Sequence, residues 1–253
     1  MGEFERKCGC KGIRSCLMCE KYKNVVDKDV PPEKQEWYCY CWRCNEAYGP
    51  MSMDDFPNPP CLAPSCDHPG DRLKIKEVVS IPDFITEEEE EDLVRQMDVS
   101  PWKLSQSGRN KQDYGPKVNF KQKKVKQGGF TGLPSFMRPF VDRMRALESL
   151  ADFVPVELCN LDYRPERGSA IDPHRDDSWL WGERLVTLNL LSATYLDLAP
   201  VLQPGRASAQ TAAGVRVPLP ARSLLVLAGP ARHQWTHGIR RDAVVGRRVA
   251  VTL

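Results

Sequence analysis

Apolar and polar positions change character near residue 70. From Leu73 to Ile81 the text LKIKEVVSI alternates in part and is rich in β-branched residues, which predicts a strand ended by Pro82. Thr86 stands three residues before Glu89 in an acidic run at 87–91. That spacing is a capping box, and it predicts a helix through Met97 whose acidic first turn meets the positive end of the helix dipole. Residues 102–126 are polar and basic with Tyr114 and Phe120 interleaved, and Tyr114-Gly115-Pro116 predicts the turn of a hairpin. Residues 133–150 carry apolar side chains near helical spacing, interrupted at Pro139. Runs at 156–163, 185–191, 215–219, 223–228 and 248–253 predict strands, whereas 192–214, with its small residues and prolines, predicts a loop. Many strands after one or two helices predict an α+β fold, a double-stranded β-helix (jelly roll) decorated with helices.

The first 70 residues read differently. They are rich in Cys and Pro, with little period, and predict a small, partly flexible Cys-rich N-terminal segment (1–70) before the ordered domain at 71–253. Of the ten cysteines, nine lie between residues 8 and 66, a clustering that suits metal or redox chemistry in a reducing compartment. Cys8, Cys10, Cys16 and Cys19 follow a C-x-C-x5-C-x2-C pattern, and four thiolates so close can enclose a tetrahedral zinc ion. Cys39, Cys41, Cys44, Cys61, Cys66 and His68 contain a C-x-x-C that could hold another zinc, but are expected to be free thiols in a flexible segment. Cys159, within an apolar run, is expected in the core.

With 253 residues, 41% of them hydrophobic, the chain can bury a sizeable core. A net charge of +2 does not mark a nucleic-acid binder. No apolar run is long enough to span a membrane, and MGEFERKCGC has no apolar segment of a secretory signal, so an intracellular protein is expected.

The chemistry concentrates at Ile171-Asp172-Pro173-His174-Arg175-Asp176-Asp177. An H-x-D pair at a strand end places an imidazole and a carboxylate on one side of the chain, because side chains alternate with period two. A second histidine would complete a facial triad that leaves positions open for oxygen and a co-substrate on non-haem iron(II). Only four histidines exist, so that ligand is His233 or His237; both follow the apolar run at 223–228. A lone H-x-D also arises by chance, as a surface loop whose histidine merely hydrogen-bonds. 2-Oxoglutarate would need a buried cation for its distal carboxylate, and arginine pairs bidentately with carboxylates. Arg247 and Arg248 open the last predicted strand, Arg247 being expected in solvent.

Longer text carries a resemblance: VSPWKLSQSGR at 99–109, KQDYGPKVNF at 111–120, CNLDY at 159–163, PERGSAIDPH at 165–174, DDSWLWGERLV at 176–186, PLPARSLLVL at 218–227, and CGCKGIRSCLMCE at 8–20. The chain resembles AlkB-type iron(II)/2-oxoglutarate dioxygenases over most of its length, outside roughly 21–72 and 192–214. The resemblance implies His174, Asp176 and a His followed by Gly-Ile as iron ligands, which selects His237 and leaves His233 beside the site or on the surface. It implies Tyr163 as a contact to 2-oxoglutarate, with Asn160 sharing that role although its spacing is one residue longer than the family's N-x-Y. Arg248 fits the first position of the family's R-x5-R; the second would fall at 254, so the domain reads as truncated at its C-terminal edge. The basic stretch corresponds to a substrate lid, with Lys111, Tyr114, Lys117 and Phe120. The implied reaction is oxidative demethylation with iron(II), 2-oxoglutarate and oxygen, on monomethyl-lysine of actin, or on N6-methyladenine in DNA by the same site. Cytoplasm and nucleus are the implied compartments, with no membrane partner. A catalytically weak interaction protein is the alternative of a different class.

Overall fold

The computed structural model describes residues 8–10, 16–23, 35–52, 66–68, 70–126, 128, 130, 132–201 and 213–253. Cys61, and residues 202–212 of the expected loop, lie outside them. The fold is built on two seven-stranded sheets. The first runs β10 (Ile171–His174), β15 (Trp235–Ile239), β12 (Thr194–Pro200), β13 (Gly214–Leu219), β1 (Trp37–Cys41), β2 (Glu46–Met51) and β3 (Asp71–Leu73). The second runs β4 (Val78–Ile81), β14 (Ser223–Leu227), β11 (Leu185–Leu191), β16 (Arg248–Thr252), β9 (Leu158–Tyr163), β6 (Asn110–Tyr114) and β5 (Lys103–Leu104). A two-stranded hairpin, β7 (Lys117–Asn119) and β8 (Lys124–Lys126), stands apart from both. With few helices beside these sheets, this is the jelly roll that the strand pattern predicts.

Period two sorts the second sheet into two cores. On β14, Leu225 and Leu227 face the space between the sheets, with Leu196, Val215 and Val217 of the first sheet. Leu224 and Val226 face the other way, onto α2 (Glu87–Val99) and α3 (Arg138–Arg145) through Leu93, Met97, Phe140 and Met144. Burial on both faces explains why β14 reads as an unbroken apolar run rather than an alternating one.

The Thr86 capping box forms as expected: the Glu89 backbone N–H donates to Thr86 Oγ1 at 3.2 Å, and the Thr86 N–H donates to Glu89 Oε2 at 2.9 Å. Glu89 also accepts from Arg143 of α3, at 2.5 and 2.8 Å. The Arg143 guanidinium holds the Glu89 carboxyl down to about 2, from 4.5. A depressed folded value means that this stabilisation is present above the unfolded carboxylate range and is lost as pH falls toward about 2. Urea unfolding between pH 5 and pH 2 should therefore show a steeper loss of stability in the wild type than in Arg143→Ala; parallel curves would reject the pairing.

The elements depart from expectation in several places. Thr194–Pro200, expected as loop, is β12 at the centre of the first sheet. Its pattern TYLDLAP carries Asp197, which its buried ion pair with Arg216 of β13 makes tolerable at 2.7 Å. Trp235–Ile239, to which the sequence pattern assigns no element, is β15, and a short helix, α4 (Gly229–His233), separates it from β14. The expected hairpin turn at Tyr114-Gly115-Pro116 instead separates β6, which pairs with β9, from the β7–β8 hairpin. Pro139 does not interrupt a helix; it occupies the first turn of α3, where a missing N–H costs nothing. The expected division near residue 70 also runs through a sheet, since β1 pairs in parallel with β13 and antiparallel with β2. None of the helices, among the described residues, is long and apolar enough to cross a membrane.

Candidate metal centre and co-substrate pocket

His174 ends β10, and its cross-strand partner on β15 is His237. The two imidazoles lie 4.5 Å apart between ring centroids. Asp176, two residues past the strand, brings Oδ1 to 3.6 Å from His174 Nε2 and Oδ2 to 3.5 Å from His237 Nε2. One ligand atom from each of the three lies within 4.8 Å of the others. Of the two candidate histidines, His237 is the one brought beside Asp176, while His233 Nε2 lies 3.0 Å from Glu183 on the surface. Gly238 allows the close strand pairing behind the triad, because a Cβ there would sit 2.9 Å from the Ile171 carbonyl oxygen and 3.0 Å from Pro173 N.

The protonation states suit a cation. Burial pushes the His237 imidazole down to about 4, so it is neutral at pH 7. Burial alone would raise the Asp176 carboxyl, but the His174 hydrogen bond, the two neighbouring imidazoles and Arg232 together hold it below its ordinary value. His174 Nδ1 lies 2.8 Å from the Asp172 carbonyl oxygen, which turns Nε2 toward Asp176. Arg232 of α4, buried, donates to the Asp176 carbonyl at 3.0 Å and so pins the loop that carries the carboxylate. No sequence pattern marks Arg232.

A second polar cluster, the candidate co-substrate pocket, is built by period two. Arg248 and Tyr163 are cross-strand partners on β16 and β9, and both turn into the space between the sheets. The guanidinium carbon of Arg248 stands 4.6 Å from the Tyr163 ring centroid, and Nε donates to Asn189 Oδ1 at 2.5 Å. Asn189 is itself held by donation to the carbonyls of Leu219 and Pro220. Arg248 is 2% exposed, and its Nη1 is buried with no hydrogen-bond partner among the described residues. A buried guanidinium nitrogen left over is costly unless an anion meets it. The donor set therefore fits the distal carboxylate of 2-oxoglutarate. Buried Arg109, whose guanidinium carbon lies 5.7 Å from the same ring, adds positive charge near the pocket. Asn189 could have been found as the one amide in an apolar run, LVTLNLL.

Asn160 does not join this pocket. Three residues separate it from Tyr163, and an odd spacing on a strand puts two side chains on opposite faces. Its Nδ2 donates to Gln112 Oε1 at 3.0 Å, and Gln112 in turn donates to the carbonyls of Met97 and Ser100 at the end of α2. Tyr163→Phe should raise the 2-oxoglutarate KM with little change in urea midpoint. Asn160→Ala should lower the midpoint and leave that KM alone. The reverse pattern would put Asn160 at the co-substrate.

The expected lid residues scatter. Lys111 pairs with Asp113 at 2.7 Å, and Lys117 is exposed on β7. Tyr114 packs edge-on against Phe136 in the outer core, on the face away from the pocket. Phe120 packs against two tryptophans, with ring centroids 6.2 Å from Trp179 and 5.9 Å from Trp181. Trp181 Nε1 donates to Glu157 Oε2 at 3.0 Å. Burial raises the Glu157 carboxyl, and the charge of Asp176 is near enough to add to the rise. Arg247, expected in solvent, pairs with Asp98 and Asp162. Cys159 is half-buried beside Asp113 rather than in a core cluster.

Two cysteine groups are also brought together: Cys8, Cys10, Cys16 and Cys19, and separately Cys41, Cys44, Cys66 and His68, each with its ligand atoms within 4.8 Å. The second group was expected to be free and flexible; the β1–β2 turn and the approach of residues 66–68 gather it instead.

The chain is 49% identical over 273 residues to the human alpha-ketoglutarate-dependent dioxygenase alkB homolog 4, an alignment covering 99% of this chain and 86% of that protein. It is 34% identical over 264 residues to a Caenorhabditis elegans DNA N6-methyl adenine demethylase, covering 100% of this chain and 88% of that one. The solved structure of OsALKBH1 superposes with a TM-score of 0.48 at 13% identity, over 70% of this chain and 96% of that one, too loosely to add to these likenesses. No protein-family model matches. Alignments of this identity over nearly the whole chain, with a His-Asp-His triad in place, show that the chain belongs to the AlkB family of alpha-ketoglutarate (2-oxoglutarate)-dependent dioxygenases.

Proposed function

We propose that this dioxygenase is an oxidative N-demethylase with its iron(II) on His174, Asp176 and His237 and its co-substrate on Arg248 and Tyr163. One observation carries the reading: three ligand atoms converge at the end of a jelly roll whose interior holds a buried, incompletely paired arginine. When bound, iron with oxygen and 2-oxoglutarate supplies the oxidation of an N-methyl group to hydroxymethyl, which leaves as formaldehyde, with succinate and carbon dioxide as co-products. The chain's own residues bind and orient. The Asp172 carbonyl fixes the His174 ring, Arg232 fixes the Asp176 loop, and Asn189 aims Arg248.

For the substrate, the mouth favours a methylated lysine. Phe120, Trp179 and Trp181 offer aromatic faces, and Glu157, bonded to Trp181, puts a carboxyl group beside them. Aromatic faces and acids together attract a methylammonium cation. Monomethyl-lysine of actin is the substrate in this reading. DNA carrying N6-methyladenine is the second reading, favoured by the exposed lysines of the β7–β8 hairpin and by the likeness to the nematode DNA N6-methyl adenine demethylase. Cys8, Cys10, Cys16 and Cys19 hold a structural zinc ion in the same proposal, a thiolate set that zinc favours.

Succinate formation decides between them. Release above a His174→Ala control is expected with a monomethyl-lysine actin peptide. Release only with methyladenine DNA would move the reading to nucleic acid, and release with neither would overturn it.

A further inference from the structure

We infer that Cys41, Cys44, Cys66 and His68 form a zinc site that clamps the chain near residue 67 onto the β1–β2 hairpin, apart from the catalytic iron. Cys41 is the last residue of β1, and Cys44 lies in the four-residue turn before β2. The turn closes through the Asn45 N–H on the Cys41 carbonyl at 2.9 Å, with Asn45 at a φ of 55°. It also aims the backbone N–H groups of Cys44 and Arg43 at the Cys41 sulfur.

The other two ligands arrive from outside the hairpin. Cys44 Sγ lies 3.4 Å from His68 Nε2. Zinc–sulfur and zinc–nitrogen bonds of about 2.3 and 2.0 Å at tetrahedral angles put ligand atoms about 3.5–3.8 Å apart, close to that separation. The His68 ring is stacked on Tyr48 of β2, with centroids 3.9 Å apart, so its Nε2 is already aimed. Nε2 is thus the ring nitrogen turned toward the cysteines. Cys39 is disulfide-bonded and stays outside the ligand set. Three thiolates and one imidazole make a closed, soft set of the kind structural zinc takes, with no open position for catalysis.

The site has a mechanical meaning. β1 pairs with β13, β13 with β12, and β12 with β15, which carries His237. Zinc here fastens the far edge of the sheet that presents the iron ligands. The set shares no residue with the Cys8 group, so the two stand or fall separately.

The test is metal analysis of the full chain, expressed with zinc and purified with reductant. Cys44→Ser with Cys66→Ser should lose one zinc per chain relative to wild type, whatever the wild-type total, and should melt at a lower temperature with the iron content kept. Unchanged zinc content overturns the proposal. If that double variant fails to fold, cobalt(II) replaces it as the readout, loaded into the otherwise intact Cys8→Ser/Cys19→Ser chain. Intense thiolate-to-cobalt absorption that survives in His68→Cys and is weakened in His68→Ala supports the site. Absence of that absorption, or a disulfide among Cys41, Cys44 and Cys66 in reduced wild-type protein, overturns it.

Discussion

His237→Ala should abolish iron-dependent 2-oxoglutarate turnover while leaving a folded protein. Loss of a partner that only orients a ligand lowers metal affinity or activity by about 10–100-fold, so loss of a ligand itself should exceed that range. The fold should survive because His237 Nδ1 is already buried without a partner among the described residues, so truncation strands no hydrogen bond there. The β15 backbone stays paired on both sides, to β10 and β12. Iron content and succinate release, measured with far-ultraviolet circular dichroism on the same sample, check this. A variant that keeps both iron and turnover would remove His237 from the metal centre. His233→Ala is the matched control: its ring meets Glu183 at the surface, so turnover should change little.

Asp162→Ala should give the largest loss of stability among single substitutions near the pocket. The carboxylate is 3% exposed and accepts from three arginines: Arg247 Nε at 2.8 Å, Arg167 Nη2 at 2.5 Å and Arg164 Nε at 3.3 Å. Removing the shared anion leaves cations that were brought together only because it was there. Breaking a buried pair costs about 3–5 kcal/mol, and the partial exposure of the arginines sets the expectation at the lower end, about 3 kcal/mol. A fall in urea midpoint at unchanged slope is the measurement. Asp162 and Val249 are cross-strand partners, one residue from the Tyr163–Arg248 pair on the opposite face. The same variant should therefore raise the 2-oxoglutarate KM, because the two strands that aim the pocket lose their outer brace. A change below about 1 kcal/mol, the range of exposed ion pairs, would mean that the arginines are solvated.

Much of this site is legible before any folding. The H-x-D at a strand end needs only backbone alternation to put His174 and Asp176 together, and the capping box needs only Thr86 and Glu89 three residues apart. The jelly-roll strands at 185–191 and 223–227 show themselves because both their faces are buried, which selects apolar residues without interruption. Three assignments needed the tertiary structure. β12 hides behind Asp197 and two prolines nearby, whose cost is offset by Arg216 on a strand nineteen residues away in sequence. Asn160 reads as a co-substrate ligand by proximity to Tyr163, yet pleating turns it to the helix side. The cysteines between 39 and 66 have no regular spacing, and only the β1–β2 turn shows which of them meet His68.

The closeness of His174 and Asp176 thus follows from local rules that act over a few residues. The approach of His237 to that pair, the partner of Arg248 and the gathering of the second cysteine group depend on strands far apart in the chain. Period two tells which side of its own strand a residue occupies. It cannot tell which other strand lies across the gap, because that is decided by the burial of two cores at once.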